Sequence, residues 1–358
     1  MAEPGPIDTV LPMAELGGGA ALARHYYEEV VAPLLLQERP DLLYACGRLG
    51  SGSDVLGLDD VVSRDHDWGL RLTLLVEEPD VADIDLLLER TLPDTFAGHP
   101  IRFATTWEDR VRQRVEVSDP VAFTRSRLGV DPTALGVLEW LSLTGQAVLE
   151  VTAGPVFYDA PGVISELREH LAWYPDDLWY YVLAAGWVRV QEELPMVGRC
   201  GARGDELGSR IIAGRIVRQL MHLVFLTARS WPPYGKWFGT MFAQLDSSSE
   251  MTAALDRAQT STDWQTREAA LAEAVGLVML QQAHCGLPSV AQPIEPFWDR
   301  EYRTLAPGVV AVLQEAMVDA EVRRLPAGVG AIEQWVDNVK VLGNADRRGA
   351  VVRAALLG

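Results

Sequence analysis

The stretch LLYACGRLGSGSDVLGLDDVVSRDHDWGLRLTLLV, residues 42–76, decides the fold of this chain. Its first part, Leu42–Cys46, is short and apolar and is followed by a glycine, a pattern that predicts a buried strand. Gly50-Ser51-Gly52-Ser53 comes next and predicts a turn whose backbone amides are not crowded by side chains. Such a turn, called the GSGS turn below, can hold a phosphate, above all where the N-terminus of a helix adjoins it.

Two carboxylates open the next apolar segment of the same stretch. Asp65, His66 and Asp67 precede a run in which Leu70, Leu72, Leu74 and Val76 alternate with more polar positions. Residues i and i+2 of a strand point to the same side, so both carboxylates are expected to face one way and His66 the other. Mg²⁺ prefers a few carboxylates together with substrate oxygens. The pattern therefore predicts that Asp65 and Asp67 bind Mg²⁺ opposite the GSGS turn.

Three other acidic residues lie between the turn and the acidic pair and compete for the role of metal ligand. Asp54, Asp59 and Asp60 all fall in this spacer. Only Asp65 and Asp67 stand at the start of an alternating strand, so they are the preferred ligands, and Asp59 and Asp60 are interpreted as solvated loop carboxylates.

The turn, the spacer and Asp65-x-Asp67 resemble the signature of the nucleotidyltransferase superfamily, which includes DNA polymerase β and the aminoglycoside nucleotidyltransferases. The middle residue of the acidic pair is usually apolar in that superfamily, and here it is His66. The resemblance implies a third carboxylate on a neighbouring strand, for which Glu116 in Arg114–Ser118 is the candidate. Further segments resemble a largely uncharacterised family catalogued as a domain of unknown function within this fold: GRLGSGSD, SRDHDWG, YPDDLW, QEE, GRCGARGDELGSR and PYGKWFGT.

The element pattern predicts an α+β domain followed by a helical one. Besides the two strands above, the first domain is predicted to contain a helix over residues 20–38, interrupted at Pro33, and a helix over Asp80–Leu92. Its further predicted strands are Ile101–Thr106, Arg114–Ser118 and two short strands around Gly154-Pro155. This order predicts a small mixed sheet with helices, the nucleotidyltransferase-like domain, over residues 20–160 after a loose leader at 1–19. Residues 161–358 are predicted to form an all-α domain on the other side of a cleft. Its predicted helices are Val163–Trp173, Asp176–Glu193, Asp205–Arg229, Tyr234–Leu245, Thr262–His284, Val309–Val322 and Ile332–Val341, separated by prolines.

Basic residues of the helical half are candidates for phosphate contacts. Arg210 and Arg218 lie on one predicted helix, and Arg203, seven residues before Arg210, would align with Arg210 if that helix started early enough. Arginine suits bidentate phosphate binding. Lys236 lies among bulky residues, and the resemblance implies that a lysine of the helical domain reaches the nucleotide phosphates. The alternative is that these arginines pair inside the helical domain with its acidic residues, which are Glu192, Glu193, Asp205 and Glu206.

Composition limits the class of partner and the compartment. The chain has 358 residues and a net charge of −19, with an isoelectric point near 4.7, so a basic surface for nucleic acid is not supported. An acidic surface suits a small cationic acceptor better. Three distant cysteines predict no disulfide framework. The segment MAEPGPIDTV, with its acids and prolines, does not predict a secretory signal, and no apolar run approaches the ~20 residues that predict a membrane span. A cytoplasmic protein without a membrane segment is expected.

The leading hypothesis is a nucleotidyltransferase that moves a nucleoside monophosphate from a nucleoside triphosphate, with ATP preferred, to a hydroxyl of a small acceptor. Its catalytic residues are Asp65, Asp67 and Glu116, and the first two hold two Mg²⁺ ions. Its nucleotide-binding residues are Gly50, Ser51, Gly52, Ser53, Arg210 and Lys236. A catalytically silent nucleotide-binding or regulatory protein of the same fold is the alternative. A helical-domain ribonuclease using Arg215 and His222, seven residues apart, is the minor alternative.

Overall fold

The computed structural model describes residues 18–60, 62–64, 68–106, 108–245 and 248–357, which form two compact units. The first unit contains residues 18–134 and 147–172, and it carries the main sheet. The second contains residues 135–146 and those from Trp173 onward, and it is built almost entirely of helices. Within the described residues, no helix combines the length and apolar character needed to cross a membrane.

Four strands form the main sheet, in the order β7-β2-β1-β8. Strands β2 and β7 run parallel, whereas β1 is antiparallel to both β2 and β8, so the sheet is mixed as the sequence predicted. Among the described residues, three two-stranded ribbons, β3-β4, β5-β6 and β9-β10, account for the remaining strand pairs. The strands are Tyr44–Gly47 (β1), Leu72–Val76 (β2), Thr95–Phe96 (β3), His99–Pro100 (β4), Arg102–Thr105 (β5), Glu108–Gln113 (β6), Val115–Ser118 (β7), Val156–Asp159 (β8), Ile294–Pro296 (β9) and Arg303–Leu305 (β10).

Helices cover the sheet of the first unit and make up most of the second. They are Gly19–Tyr26 (α1), Ala32–Glu38 (α2), Val81–Thr91 (α3), Pro120–Leu128 (α4), Val137–Ser142 (α5), Gly145–Thr152 (α6), Val163–His170 (α7), Asp176–Gly201 (α8), Glu206–Thr227 (α9), Gly235–Phe242 (α10), Ser248–Thr260 (α11), Trp264–His284 (α12), Gly308–Ala316 (α13), Val339–Leu342 (α14) and Ala345–Leu357 (α15). A π-helical turn, Tyr27–Val31, joins α1 to α2.

The central strand of the first unit is buried along its whole length. All five residues of β2 are buried, so β2 does not alternate between apolar and polar faces as the sequence analysis expected. Leu72, Leu74 and Val76 belong to a core that also contains Tyr26 of α1 and Ile84 of α3. A strand covered on both faces has a near-continuous apolar sequence, which explains the buried positions between these three residues.

Several predicted elements differ from the structure, and proline explains two of the differences. Pro33 does not interrupt the helical stretch, because it lies in the first turn of α2, where a missing N–H costs little. Pro195 lies inside α8, which continues to Gly201 instead of ending at Glu193. Burial on the interior of the second unit holds the helix through this position, since Leu194, Pro195 and Val197 are all buried.

The predicted hairpin over residues 145–159 is half wrong. Gly145–Thr152 is the helix α6, and only Val156–Asp159 is a strand. Ala147, Val148 and Val151 are buried, a spacing that matches one helical face and not the two-residue period of a strand. The helices α4, α11 and α15 were not predicted, and the predicted helix over Ile332–Val341 is a short 3₁₀ turn, Ile332–Gln334, followed by α14.

Candidate anion-binding site of the first unit

The GSGS turn follows β1 and requires its two glycines. Gly50 has φ +82° and Gly52 has φ +143°. Residues that carry a Cβ rarely adopt such positive φ angles. A Cβ at Gly52 would also lie 2.2 Å from Oδ1 of Asp54 and 2.5 Å from Nη2 of Arg48. The glycine at position 52 therefore lets two charged side chains pass directly beneath the turn.

Two arginines hold the turn from inside. Arg48 is buried and donates from Nε to Oδ2 of Asp54 at 2.6 Å and from Nη2 to the carbonyl of Ser51 at 2.8 Å. Arg71, which immediately precedes β2, donates to the same carbonyl at 2.9 Å and to Oγ of Ser51 at 3.3 Å. The carbonyl of Ser51 is thus directed toward the protein interior, which fixes the orientation of the peptide group that follows it.

The backbone amides of the turn differ in their availability. Gly50 donates its N–H to the carbonyl of Glu150 at 2.7 Å, so this amide is not free for a phosphate, contrary to the prediction for Gly50. The amides of Ser51, Gly52 and Ser53 donate no hydrogen bond to any residue that the structure describes. Residues 53–57 continue as turns and no helix begins there, so no helix dipole adds to the site. Three successive amides nonetheless offer donors to an anion.

A cavity of about 400 Å³ opens beside the turn, and Ser51 is part of its wall. Positive charge exceeds negative charge in the side chains that line it: Arg48, Arg71, Arg112, Arg114 and Arg127 against Asp85, Glu108 and Glu116. We call this cavity the arginine pocket. Arg112 pairs with Asp85, and Arg114 pairs with Glu108 at 2.5 Å. In a protein with a net charge of −19, this concentration of guanidinium groups marks a place suited to an anion.

Glu116 lies in the arginine pocket, where the sequence analysis expected a carboxylate. It belongs to β7, next to Thr73 of the parallel strand β2. Its carboxylate pairs with Nη2 of Arg127 at 2.5 Å, and 42% of its side chain is exposed. The structure therefore brings Glu116 and Ser51 to one cavity.

The predicted metal ligands Asp65 and Asp67, and His66 between them, lie outside the described residues. The neighbouring Arg64 places its guanidinium 4.9 Å from the ring centre of Trp68, which in turn meets the ring of His99 edge-on at 5.5 Å. Burial, and secondarily the charge of Arg64, lowers the pKa of His99. Among the residues that the structure describes, no group of three or more His, Cys, Asp or Glu is placed to hold a metal ion. The metal site at Asp65 and Asp67 stays a prediction.

Asp59 is not the solvated loop residue that the sequence analysis expected. Its Oδ2 accepts a hydrogen bond from the backbone N–H of Gly19 at 2.6 Å and from Nε1 of Trp68 at 3.0 Å. Asp59 thus joins the start of α1 to the segment that follows the spacer. Asp60 accepts from the backbone N–H of Ser63 at 2.8 Å, in a local turn.

Arg210 and Lys236, the predicted phosphate contacts of the helical half, both belong to the second unit. Arg210 is exposed on α9. Lys236 is exposed on α10, with Nζ 4.7 Å from the ring centre of Trp237. Their role toward a nucleotide stays a prediction.

The alternative that Arg203, Arg210 and Arg218 pair with nearby acids is wrong for three of the four proposed acidic partners. Glu193 pairs with Arg215, and Glu206 pairs with the buried Arg267 at 2.9 Å. Asp205 instead accepts from the backbone N–H of Gly208 at the start of α9.

The ribonuclease alternative needs Arg215 and His222 to face one substrate. Arg215 is 65% exposed, but only 4% of the His222 side chain is exposed, and its Nε2 lies 3.5 Å from Oε1 of Glu333. A buried imidazole cannot reach an RNA backbone, so the spacing of these two residues does not make a nuclease site.

Sequence reasoning missed the three arginines that surround the turn: Arg48, Arg71 and Arg127. The available signal was position, because Arg48 directly follows one buried strand and Arg71 directly precedes the next. Burying the charge of an arginine at the end of a buried strand costs free energy unless the guanidinium has partners. An arginine at such a position therefore indicates a cluster of polar partners around it. No comparable signal marked Arg127 at the end of α4.

Comparison with known proteins identifies a family model and a solved structure to which this chain is similar. A family model described as a domain of unknown function (DUF4037) matches residues 140–238. The crystal structure of a nucleotidyltransferase-like protein from Exiguobacterium sibiricum 255-15 is similar over 74% of this chain and 76% of that chain, with 13% identity and a TM-score of 0.34. No curated protein matches the chain. Since the family match covers well under half of the chain and the structural similarity is low, neither match adds to the argument from geometry.

Proposed function

We propose that this chain is a nucleotidyltransferase that binds a nucleoside triphosphate, preferably ATP, at the GSGS turn and transfers the nucleoside monophosphate to a hydroxyl of a small acceptor. The observation that supports the proposal is one cavity that contains Ser51, a set of arginines and the carboxylate of Glu116. Phosphoryl and nucleotidyl transfer depend mainly on positioning and on charge stabilisation, which these groups can supply.

The phosphate tail would bind at the turn through donors that are already oriented. The amides of Ser51, Gly52 and Ser53 would donate to the β and γ phosphate oxygens together with the hydroxyl of Ser51. Because Arg48 and Arg71 hold the carbonyl of Ser51, the following amide keeps its direction before the ligand arrives. Donors that need no rearrangement stabilise developing charge most effectively.

Metal binding is part of the proposal and rests on residues 65 and 67. The described residues alone do not fit a magnesium site, since Asp85, Glu108 and Glu116 each pair with an arginine. In the proposal, Asp65 and Asp67 hold two Mg²⁺ ions, which when bound would neutralise charge on the triphosphate. Glu116 either completes one metal site or accepts the proton of the acceptor hydroxyl. Arg210 and Lys236 would contact phosphates, and a cationic acceptor is proposed from the acidic net charge.

Ligand binding to the whole chain tests the proposal. The four ribonucleoside triphosphates, each with and without Mg²⁺, are expected to raise the melting temperature, with the largest shift for ATP and Mg²⁺. Asp65→Asn and Asp67→Asn are expected to abolish the Mg²⁺-dependent part of the shift. Asp94→Asn, at a carboxylate of the same unit that is 98% exposed, is the matched control and leaves the shift unchanged. Absence of binding for all four nucleotides, or an unchanged shift in both Asp65→Asn and Asp67→Asn, rejects the site.

A nucleotide-binding protein without turnover is the second candidate. The observation that favours it is the ion pair of Glu116 with Arg127, since a carboxylate held by a guanidinium is not positioned to accept the proton of an acceptor hydroxyl. Pyrophosphate release across a panel of triphosphates and hydroxyl-bearing acceptors separates the two functions. Release with any acceptor supports the transferase, and tight nucleotide binding with no release under any condition supports the second candidate.

A further inference from the structure

Arg127 is held at the arginine pocket by its own helix. It lies in the last turn of α4, with its guanidinium 4.1 Å from the ring centre of Phe123. Nη1 donates to Oγ of Ser126 at 2.5 Å and to the carbonyl of Phe123 at 3.3 Å. Only 15% of its side chain is exposed. These contacts fix one side of the guanidinium and leave Nη2 directed into the pocket toward Glu116.

One nitrogen of Arg127 pairs with the carboxylate of Glu116 and also lies near Gly50 of the GSGS turn. Nη2 donates to Oε2 of Glu116 at 2.5 Å, and the same Nη2 lies 3.4 Å from where a Cβ of Gly50 would be. Glu116 and an anion bound at the GSGS turn would therefore approach the same donor. Two anions cannot both receive a full ion pair from a single guanidinium edge.

We propose that Arg127 is a further triphosphate-binding residue. In the empty protein the carboxylate of Glu116 pairs with Arg127, and an arriving triphosphate displaces that carboxylate. This inference rests on the proposed nucleotide site. The arriving phosphate takes Nη2 of Arg127, and the carboxylate of Glu116 is left unpaired only while substrate is bound. Glu116 then becomes available beside the phosphate tail and not in the empty protein.

The energetics allow this exchange. Glu116 is 42% exposed, so its carboxylate regains contact with water when Arg127 leaves it, and breaking the pair costs little on the side of Glu116. A terminal phosphate presents several acceptor oxygens and more negative charge than a carboxylate, and guanidinium binds it in a bidentate manner. The interaction free energy that the phosphate gains with Arg127 is therefore larger than the interaction free energy that Glu116 loses.

Binding of inorganic tripolyphosphate without metal, measured by calorimetry on the whole chain, tests the exchange. Glu116→Gln removes the competitor, so we expect about two- to fivefold tighter binding, the factor that corresponds to an ion pair of this exposure. Arg127→Gln is expected to weaken binding by about tenfold or more, as for loss of a charged hydrogen bond. Glu116→Gln added to Arg127→Gln is expected to have no further effect.

Glu108→Gln is the matched control, because it removes a carboxylate from the same pocket whose partner is Arg114 and not Arg127. It is expected to change the affinity by less than about twofold, because Glu108 is 38% exposed and does not compete for Arg127. Equal tightening in Glu108→Gln and Glu116→Gln, or weaker binding in Glu116→Gln, overturns the exchange. If Arg127→Gln does not fold, Arg127→Lys replaces it. Glu116→Gln is then made in the Arg127→Lys chain and in the native chain, and its effect on the affinity for tripolyphosphate is compared. An equal gain in affinity in the two chains counts against the exchange.

The failures of the two proposals are distinguishable. If the native chain binds neither tripolyphosphate nor any nucleotide, the proposed function falls and this inference falls with it. If tripolyphosphate binds but Arg127→Gln and Glu116→Gln act independently, the nucleotide site stands and only the exchange is rejected.

Discussion

Arg48 and Asp54 form a buried ion pair directly beneath the GSGS turn, with Nε 2.6 Å from Oδ2 and the two side chains 1% and 3% exposed. Nη2 of Arg48 also lies 2.9 Å from Oδ1, so the pair is bidentate. A bidentate pair in this position links the conformation of the turn to the stability of the first unit.

Breaking this pair should destabilise the protein strongly. Asp54→Ala leaves the guanidinium of Arg48 buried without its carboxylate, and we expect a loss of about 3–5 kcal/mol in the free energy of unfolding. Urea denaturation of the native and variant chains measures the difference. Glu28→Gln, which removes an exposed pair with Arg24 in the same unit, should cost less than about 1 kcal/mol. Equal costs for the two variants would show that the buried pair has no special role.

Alanine substitutions at Gly52, in the turn, and at Gly57, after it, distinguish the cost of backbone strain from the cost of steric overlap. Gly52 and Gly57 both have positive φ, but a Cβ at Gly57 meets no atom within 4 Å. Gly57→Ala should therefore cost only the backbone strain, about 1 kcal/mol. Gly52→Ala adds displacement of Asp54 and Arg48, a further 1–3 kcal/mol or so, and it should also weaken tripolyphosphate binding. Thermal denaturation and calorimetry of both variants test this, and a smaller loss for Gly52→Ala than for Gly57→Ala would contradict it.

Glu268 should make the second unit less stable as the pH rises. Burial raises the pKa of Glu268 above its ordinary value of 4.5, against the opposing effects of the backbone N–H and charge of Arg303. Its contribution to stability is complete below the ordinary pKa of 4.5 and is lost as the pH rises through the higher folded-state pKa.

We therefore expect Glu268→Gln to gain unfolding free energy relative to the native chain between pH 4 and neutral pH, in a urea series. Glu273→Gln on the same helix, at a side chain that is 54% exposed, serves as the control and should show no such trend. A constant difference between Glu268→Gln and the native chain across this range would show that the carboxyl is not perturbed.

Glu333 should stabilise the second unit as a hydrogen-bond acceptor. Its Oε2 accepts from the backbone N–H of Gly145 at 2.9 Å, and its Oε1 lies 3.5 Å from Nε2 of His222. Glu333→Ala leaves that N–H unpaired and should cost about 1–3 kcal/mol. Glu333→Gln keeps an acceptor and should recover most of this loss in chemical denaturation. No recovery would assign the stabilisation to the charge facing His222.

The mixed sheet and the position of Glu116 could be predicted because they depend on local patterns. Short apolar runs ending in glycine marked the strands, and Glu116 between two valines marked a carboxylate on a strand beside β2. The GSGS turn was predictable for the same reason, since positive φ at Gly50 and Gly52 needs glycine. These features are encoded within a few neighbouring residues.

The rest of the candidate site depends on contacts between distant residues, which a local pattern does not encode. Arg127 reaches Glu116 only because α4, which follows β7, packs beside that strand's Glu116. Gly50 loses its free amide only because α6 brings the carbonyl of Glu150 beside it. The helix α6 itself was mistaken for a strand because a short apolar run fits both periods. Tertiary contacts decided all three outcomes.

The pairing of β1 with β8 also bears on how the protein is made. Gly47, at the end of β1, pairs with Val156, and the amide of Gly50 donates to the carbonyl of Glu150. The GSGS turn therefore follows β1 directly, but the residues that complete its contacts leave the ribosome much later. A nascent chain must therefore keep β1 and β2 from aggregating until the α6–β8 segment has been translated, at ~5–20 residues per second. Synthesis of this protein thus includes an interval of seconds in which the open edge of β1 needs protection, and a truncated product ending before α6 should depend on chaperones throughout its lifetime.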